Sequence, residues 1–156
     1  MLGTVLDVTE RDFRDAMDGD VWSLIVLFAA MIPLMKRSGG GSIVNVASIG
    51  WQGLKGRPLR ATSQGAVVTL TRSMAADHAE DHIRVNALLL GPTLISSTLP
   101  AHAEVLAGKA PLGELHTPVD VAAATLFLAS DEARLITGSM LSLDAGRFLP
   151  ATEPTF

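Results

Sequence analysis

The hydrophobic positions predict one long helix over the first quarter of the chain. Apolar residues recur there at three- and four-residue spacing: Phe13, Met17, Val21, Leu24, Ile25, Phe28 and Ile32. Thr9 followed by acidic side chains is typical of a helix start, and the glycines at 39–41 end a helix that reaches about residue 36. The most apolar run, 21–35, is shorter than the roughly 18 residues that cross a bilayer and is interrupted by Ser23 and Pro33. It therefore predicts a buried core helix and no membrane partner.

Three short apolar runs, 43–47, 85–90 and 140–143, predict strands, and the second lacks the alternation of a half-exposed strand. Helical patterns cover residues 62 to about 79 and 118 to about 129. Residues 49–61 and 91–117 have the composition of loops, with a short helix near 101–107. Helices that alternate with apolar strands predict an α/β protein with a parallel sheet. We expect one domain over residues 1–150 and a C-terminal tail over 151–156.

Composition narrows the function classes. The net charge is −4 and no lysine–arginine cluster forms a stripe, so nucleic acid is not an expected partner. The chain has no cysteine, which excludes disulfides and thiolate metal sites. The histidines and acids at 77–82 lack the glutamate that a metalloprotease motif needs directly after its first histidine, so they predict a solvated helix end and no metal site. No basic segment precedes an apolar core at the N-terminus, so a cytoplasmic location is expected.

Three stretches together resemble the later portion of the short-chain dehydrogenase/reductase family. They are Asn45-Val46-Ala47-Ser48 at a strand end, Ile83-Arg84-Val85-Asn86-Ala87 running to Gly91-Pro92-Thr93, and the helix that begins at Asp120 and leads to Ile136-Thr137-Gly138. The resemblance implies an incomplete Rossmann-like parallel sheet of about three strands with flanking helices, without the N-terminal βαβ units. The glycine-rich turn that cradles the pyrophosphate is absent with them. The family activity is NAD(P)-dependent oxidoreduction of a carbonyl or an alcohol.

In that family an asparagine, a serine, a tyrosine and a lysine form the active site. The resemblance places these catalytic positions at Asp20, Ser48, Arg60 and Gln64, so only the serine is retained, and the chain has no tyrosine at all. An arginine stays protonated and cannot deliver and retrieve a proton at neutral pH. A glutamine brings no charge that would lower a neighbour's pKa. The sequence therefore predicts impaired acid–base catalysis and leaves open whether the chain is an enzyme.

Several positions keep two interpretations. Ser48 either contacts substrate or satisfies backbone groups of the following turn. Asp20 is either a charge on the helix surface or the partner of Arg60 in a salt bridge. Three further residues align with the nicotinamide-facing turn of the family and either contact NAD or NADP or form only a tight turn: Gly91, Pro92 and Thr93.

Three functions follow as hypotheses. The preferred one is a catalytically impaired relative that acts by association, as a homo-oligomer or with a full-length paralogue, because a truncated sheet has an unpaired edge and apolar helix faces. The second is a fragment of an active NAD(P)-dependent oxidoreductase. The third is a non-redox enzyme that uses Ser48 with Asp20 or Arg60 as a clamp for an oxyanion or a carboxylate. Neither the substrate nor the choice between NAD and NADP follows from the sequence.

Overall fold

A computed structural model describes residues 2–149. Its centre is a parallel sheet of three strands in the order β1-β2-β3, which are Gly41–Ser48, Ile83–Leu90 and Met140–Leu143. β1 pairs with β2 along its whole length, from Gly41 opposite Ile83 to Ser48 opposite Leu90. β3 pairs only with the second half of β2, from Ala87 opposite Met140 onward. The predicted incomplete Rossmann-like sheet is confirmed, while the predicted tail at 151–156 lies outside the described residues.

Helices flank this sheet on both faces. They are α1 (Glu10–Met17), α2 (Ser23–Arg37), α3 (Pro58–Asp77), α4 (Pro100–Ala107) and α5 (Pro118–Ala129). A single π-helical turn, Asp18–Trp22, joins α1 to α2, so the two form one continuous helical rod. The predicted helix start is confirmed, because Thr9 and Asp12 exchange hydrogen bonds between side chain and backbone in both directions.

The apolar run 43–47 lies inside the observed strand β1, Gly41–Ser48, as predicted. One predicted helix start was wrong. The helix α3 begins at Pro58 and not at Thr62, since proline at the first helical position lacks only an N–H that would have no partner there and already has the helical φ. This shift matters for the site, because it places Arg60 in the first turn of a helix and not in a loop.

The core lies between the sheet and the layer formed by α2 and α3. Near the amino ends of the strands, Phe28 and Ile32 of α2 pack with Met74 and Ala75 of α3 over Ile43, Ile83 and Val85. Near the carboxyl ends, Val67 and Val68 of α3 pack over Ala47, Ala87 and Leu89. α5 contacts β1 and β2 from the opposite face and buries Leu128 there.

The outer surface of α2 is apolar and exposed. Phe28 and Ile32 are its only buried residues, whereas Val26 and Leu27 are 51% and 52% exposed. The prediction of a buried core helix was therefore wrong for most of this surface. By length and composition the rod Glu10–Arg37 is long and apolar enough to cross a membrane, a test that core helices of soluble proteins also pass.

The two asparagines of the sequence motifs hold the sheet together. Asn86 is fully buried, donates from Nδ2 to the Ile136 carbonyl at 2.9 Å, and accepts from the Ser139 N–H at 3.0 Å. Asn45 donates to Thr71 Oγ1 of α3 at 2.9 Å. Both side chains satisfy polar groups inside the fold and so stabilise it.

Candidate functional site

The carboxyl ends of β1 and β2 open into a cleft of about 770 Å³. Ligands of parallel α/β sheets bind at this edge, because the loops that follow the strands diverge there. The structure brings every sequence-predicted site residue to the wall of this one cleft: Asp20, Ser48, Arg60, Gln64, Gly91, Pro92 and Thr93.

Gln64 connects the end of β1 to the helical rod. Its Oε1 accepts a 2.7 Å hydrogen bond from the Ser48 N–H, and its Nε2 donates to Asp20 Oδ2 at 2.9 Å. Both the oxygen and the nitrogen of the Gln64 side-chain amide therefore form hydrogen bonds within the protein. A lysine at this position could not accept from Ser48, so Gln64 builds a connection that the family's own residue could not make.

Asp20 is half-buried and accepts two hydrogen bonds from α3. The second comes from Ser63 Oγ at 2.5 Å, and Ser63 itself is fully buried. Asp20 lies in the π-helical turn, a feature that is frequent at functional sites because it re-aims side chains of a helix. Both interpretations of Asp20 were wrong: it is not a free surface charge, and among residues 2–149 no salt bridge joins it to Arg60.

Ser48 satisfies the turn that follows it. Its Oγ accepts a hydrogen bond from the Gly50 N–H at 3.2 Å and so caps the 3₁₀ turn Ile49–Gln52. That bond leaves the hydroxyl proton uncommitted, so Ser48 can still donate to a ligand in the cleft.

The turn after β2 is tightly packed. A Cβ on Gly91 would lie 2.9 Å from the Asp144 Cα, so only glycine fits there, and the Gly91 N–H already donates to the Leu143 carbonyl at 3.0 Å. Thr93 Oγ1 lies 2.7 Å from His116 Nε2. The polar groups available to a carboxamide at this turn are therefore fewer than the sequence motif implies.

His116 was not among the site residues that the sequence predicted. The side chain is 7% exposed, and burial lowers the pKa of the imidazole below its ordinary value, although the carboxylates of Asp120 and Asp144 act in the opposite direction. Its backbone carbonyl also accepts from the Leu94 N–H at 2.8 Å. No pattern in the sequence relates His116 to Thr93, because 23 positions separate them.

Two further arginines line the cleft and were also missed. Arg57 precedes the first turn of α3, and Arg147 donates from Nη1 to the Leu106 carbonyl at 3.0 Å. Together with Arg60 they place three guanidinium groups around the cleft. Asp20 is the one carboxylate among the residues that line it.

The described residues fit only part of a nicotinamide dinucleotide. Ser48 and the turn at Gly91, which the resemblance aligns with the nicotinamide end of the family's site, both line the cleft. In residues 2–149, however, no glycine-rich turn follows a strand and opens a helix, which is what the pyrophosphate requires. The glycines at 39–41 lie at the start of β1, at the opposite edge, where a Cβ on Gly40 would collide with the His82 carbonyl. No hydride-transfer step can be derived from these residues alone.

A parallel α/β sheet whose strand-end serine and glycine turn line a cleft at the carboxyl edge defines a protein of the Rossmann-like dehydrogenase class. Comparison with known proteins agrees. The sequence model of a family described as enoyl-(acyl carrier protein) reductase matches residues 1–147. The chain belongs to the short-chain dehydrogenase/reductase family.

Curated relatives share about a third of their residues with the chain. It is 34% identical over 141 residues to the 3-oxoacyl-[acyl-carrier-protein] reductase FabG of Thermotoga maritima, covering 88% of this chain and 57% of that protein. It is 38% identical over 156 residues to 2-(S)-hydroxypropyl-CoM dehydrogenase 3 of Xanthobacter autotrophicus, covering 92% and 60%. The chain thus spans about three fifths of these relatives.

Solved structures show the same fold. A crystal structure provisionally named a betaketoacyl-ACP reductase superposes with a TM-score of 0.85 at 32% identity, over 93% of this chain and 62% of that one. ElxO with NADP bound superposes with a TM-score of 0.82 at 24% identity, over 93% and 61%, a likeness that concerns the fold alone.

Proposed function

We propose that this chain is impaired in hydride transfer and acts by association with another protein chain, either a second copy of itself or a full-length paralogue. The observation that carries the proposal is the Gln64 bridge between Ser48 and Asp20. It joins the side chains at two of the four catalytic positions, Gln64 and Asp20, to each other and to the backbone N–H of Ser48.

The fourth catalytic position cannot supply the missing chemistry. A guanidinium is a donor that does not release its proton at neutral pH, so arginine cannot replace the tyrosine of the family as general acid and base, and loss of a general acid typically lowers a rate by ~10²–10⁴. The chain has no tyrosine that could replace it from another element. Gln64 has no charge with which to hold a neighbouring group ionised.

Two surfaces favour association. The first is the outer face of α2, where Trp22, Val26, Leu27 and Leu34 are exposed although Phe28 and Ile32 on the inner face are buried. A helix that is apolar on all sides is typical of one covered on all sides. The second is the outer edge of β1, which within residues 2–149 pairs only with β2.

The edge of β1 lacks the features that protect exposed strands. Its eight residues contain no charge and no proline, and Val46 beside the edge is 55% exposed. Edge strands that face solvent usually carry a lysine, a proline or a bulge, because an open row of N–H and C=O groups pairs with other chains. An added strand or a second protein surface would satisfy these groups.

A protein surface is a better partner for the helical rod than a bilayer. The rod carries Asp18 and Asp20 in its middle, and Asp20 is held by Ser63 and Gln64 of α3. Insertion in a membrane would break these bonds and bury a carboxylate in hydrocarbon. These contacts support our proposal of a cytoplasmic location and do not by themselves select a compartment.

The second candidate is an active oxidoreductase of which this chain is the later portion. Ser48 and the Gly91 turn favour it, since both line the cleft, and relatives of this chain carry dehydrogenase and reductase names. A longer chain would supply the pyrophosphate cradle. Arg60 and Gln64 would still leave its acid–base chemistry impaired.

One titration with two readouts separates these candidates. NADH and NADPH are added to the purified chain, binding is followed by energy transfer from Trp22 and Trp51, and light scattering measures the mass. Association predicts no saturable cofactor binding up to millimolar concentration and a mass above the 16.4 kDa of one chain, alone or with a co-expressed paralogue. Micromolar cofactor binding would support the oxidoreductase, and a 16.4 kDa monomer under both conditions would contradict association.

A further inference from the structure

We infer that the cleft at the carboxyl edge of the sheet binds a small amphiphilic organic anion, whose carboxylate or phosphate pairs with Arg57 and Arg60. The inference concerns ligand binding without hydride transfer. It does not depend on whether the chain associates with a partner.

The excess of positive side chains around the cleft supports an anionic ligand. Arg57, Arg60 and Arg147 line the cleft, and the one carboxylate beside them, Asp20, already accepts hydrogen bonds from Ser63 and Gln64. Within residues 2–149 neither Arg57 nor Arg60 forms an ion pair or a side-chain hydrogen bond. Both arginines are exposed and stand on the wall of the cleft, so their guanidinium groups are available to an anion bound there.

The acidic residues in a neighbouring cavity already interact with other side chains. A smaller cavity of about 260 Å³ there is lined by Arg57 and Arg60 together with Asp12 and Asp15. Asp12 accepts hydrogen bonds from Thr9, and Asp15 lies 3.8 Å from Arg11. Guanidinium forks match carboxylate and phosphate oxygens in a bidentate geometry, so an anion in the larger cleft is the acceptor that the two arginines lack.

The remaining side chains that line the cleft are mostly apolar and favour a ligand with an apolar tail. Ile49, Leu54, Leu106 and Phe148 line the cleft, and its volume of about 770 Å³ lies within the range of small-molecule sites. Ser48 adds a hydroxyl that can donate to the anionic head or to a neighbouring oxygen. A charged head with an aliphatic or aromatic tail fits this distribution better than a fully polar anion.

The test uses decanoate, decyl phosphate and decanol as probes, below the concentrations at which they form micelles, with isothermal titration calorimetry of the full chain. We expect saturable binding of one or both anions, and binding of decanol at least roughly tenfold weaker, because a charge-assisted pair with arginine is lost. The anion that binds more tightly identifies a carboxylate or a phosphate as the preferred head group.

Two variants locate the site. Arg60→Gln and Arg57→Gln each weaken binding of the preferred anion at least roughly tenfold. Arg72→Gln is the matched control, because Arg72 is an exposed arginine of α3 that does not line the cleft, and it leaves the affinity unchanged. The thermal midpoint of each variant reports that it still folds.

Three results would overturn the inference. The first is no saturable binding of either anion. The second is decanol binding as tightly as the anions, which would leave an apolar cleft without an anion site. The third is an equal loss in the Arg72→Gln control, which would mean that overall surface charge and not the cleft attracts the probe.

Discussion

Gln64 Nε2 donates a 2.9 Å hydrogen bond to Asp20 Oδ2, and this contact fastens α3 to the π-helical turn across 44 positions of sequence. Because the other end of the same amide accepts from the Ser48 N–H, the helical rod, α3 and the end of β1 are held at one point. Gln64 and Asp20, which the resemblance aligns with two catalytic positions of the family, form packing contacts in this structure. Their substitution should therefore affect the free energy of unfolding.

Replacing Gln64 with leucine should lower the free energy of unfolding by about 1–3 kcal/mol. The leucine leaves the partly buried Ser48 N–H without an acceptor and removes one of the two donors to Asp20. Urea denaturation at neutral pH measures the change. Gln52→Leu is the matched control, since Gln52 is an exposed glutamine in the 3₁₀ turn near the same cleft. Equal losses in the two variants would show that the Gln64 bridge does not contribute.

Replacing Gly65 should raise the free energy of unfolding, whereas replacing Gln64 should lower it. It lies in the interior of α3, and a Cβ added there would meet no atom within 4 Å. Gly65→Ala should raise the free energy of unfolding by about 0.5–1 kcal/mol, because alanine loses less backbone entropy in a helix. Urea denaturation of the variant and of the unchanged protein at equal protein concentration measures it. A stability that falls instead would contradict an open surface at Gly65.

Stability should also depend on pH through His116. Since the folded-state pKa lies below the ordinary 6.5, the unfolded chain binds the proton more readily, and stability falls as the pH drops from 6.5 through the lowered folded pKa. His116→Gln, which can still donate to Thr93, should flatten the profile below the ordinary pKa of 6.5. The pKa values of Asp12 and Asp120 are lowered from 3.8 by hydrogen bonds from Thr9 and Thr117, so their contributions change only at more acidic pH.

Urea midpoints of the two proteins across this pH range supply the measurement for His116. Profiles with the same slope would mean that the buried imidazole titrates as it does in the unfolded chain. The Asp120→Asn variant is a useful comparison, because it removes a carboxylate that raises the His116 pKa and should steepen the profile.

The sequence predicted those features that depend on local pattern. The three strands follow from their apolar runs, and α5 follows from Pro118 with an apolar stretch behind it, so its observed bounds, Pro118–Ala129, are those predicted. The position of Ser48 at a strand end followed from a motif. Each of these signals lies within a dozen neighbouring residues.

The features that the sequence did not predict depend on contacts between distant elements. A carboxylate at position 20 is compatible with solvent, with Arg60 or with Gln64, and only the packing of the π-helical turn on α3 selects the last. In the same way, the spacing of apolar residues in α2 predicts a helix. It does not reveal that a buried face and an exposed face are both apolar.

That exposed face provides the last prediction. Val26→Glu places a charge at the centre of the outer surface of α2, where Trp22 and Leu27 are also exposed. If this surface is covered by a second chain, a carboxylate there costs several kcal/mol on association, because it must lose its water without a partner. The oligomer should then dissociate to 16.4 kDa in light scattering, while circular dichroism shows an unchanged helix content.

Val119→Glu is the matched control, since Val119 is 76% exposed on α5 outside this surface. Dissociation by both substitutions, or by neither, would place the association surface elsewhere, and the open edge of β1 would be the next to test.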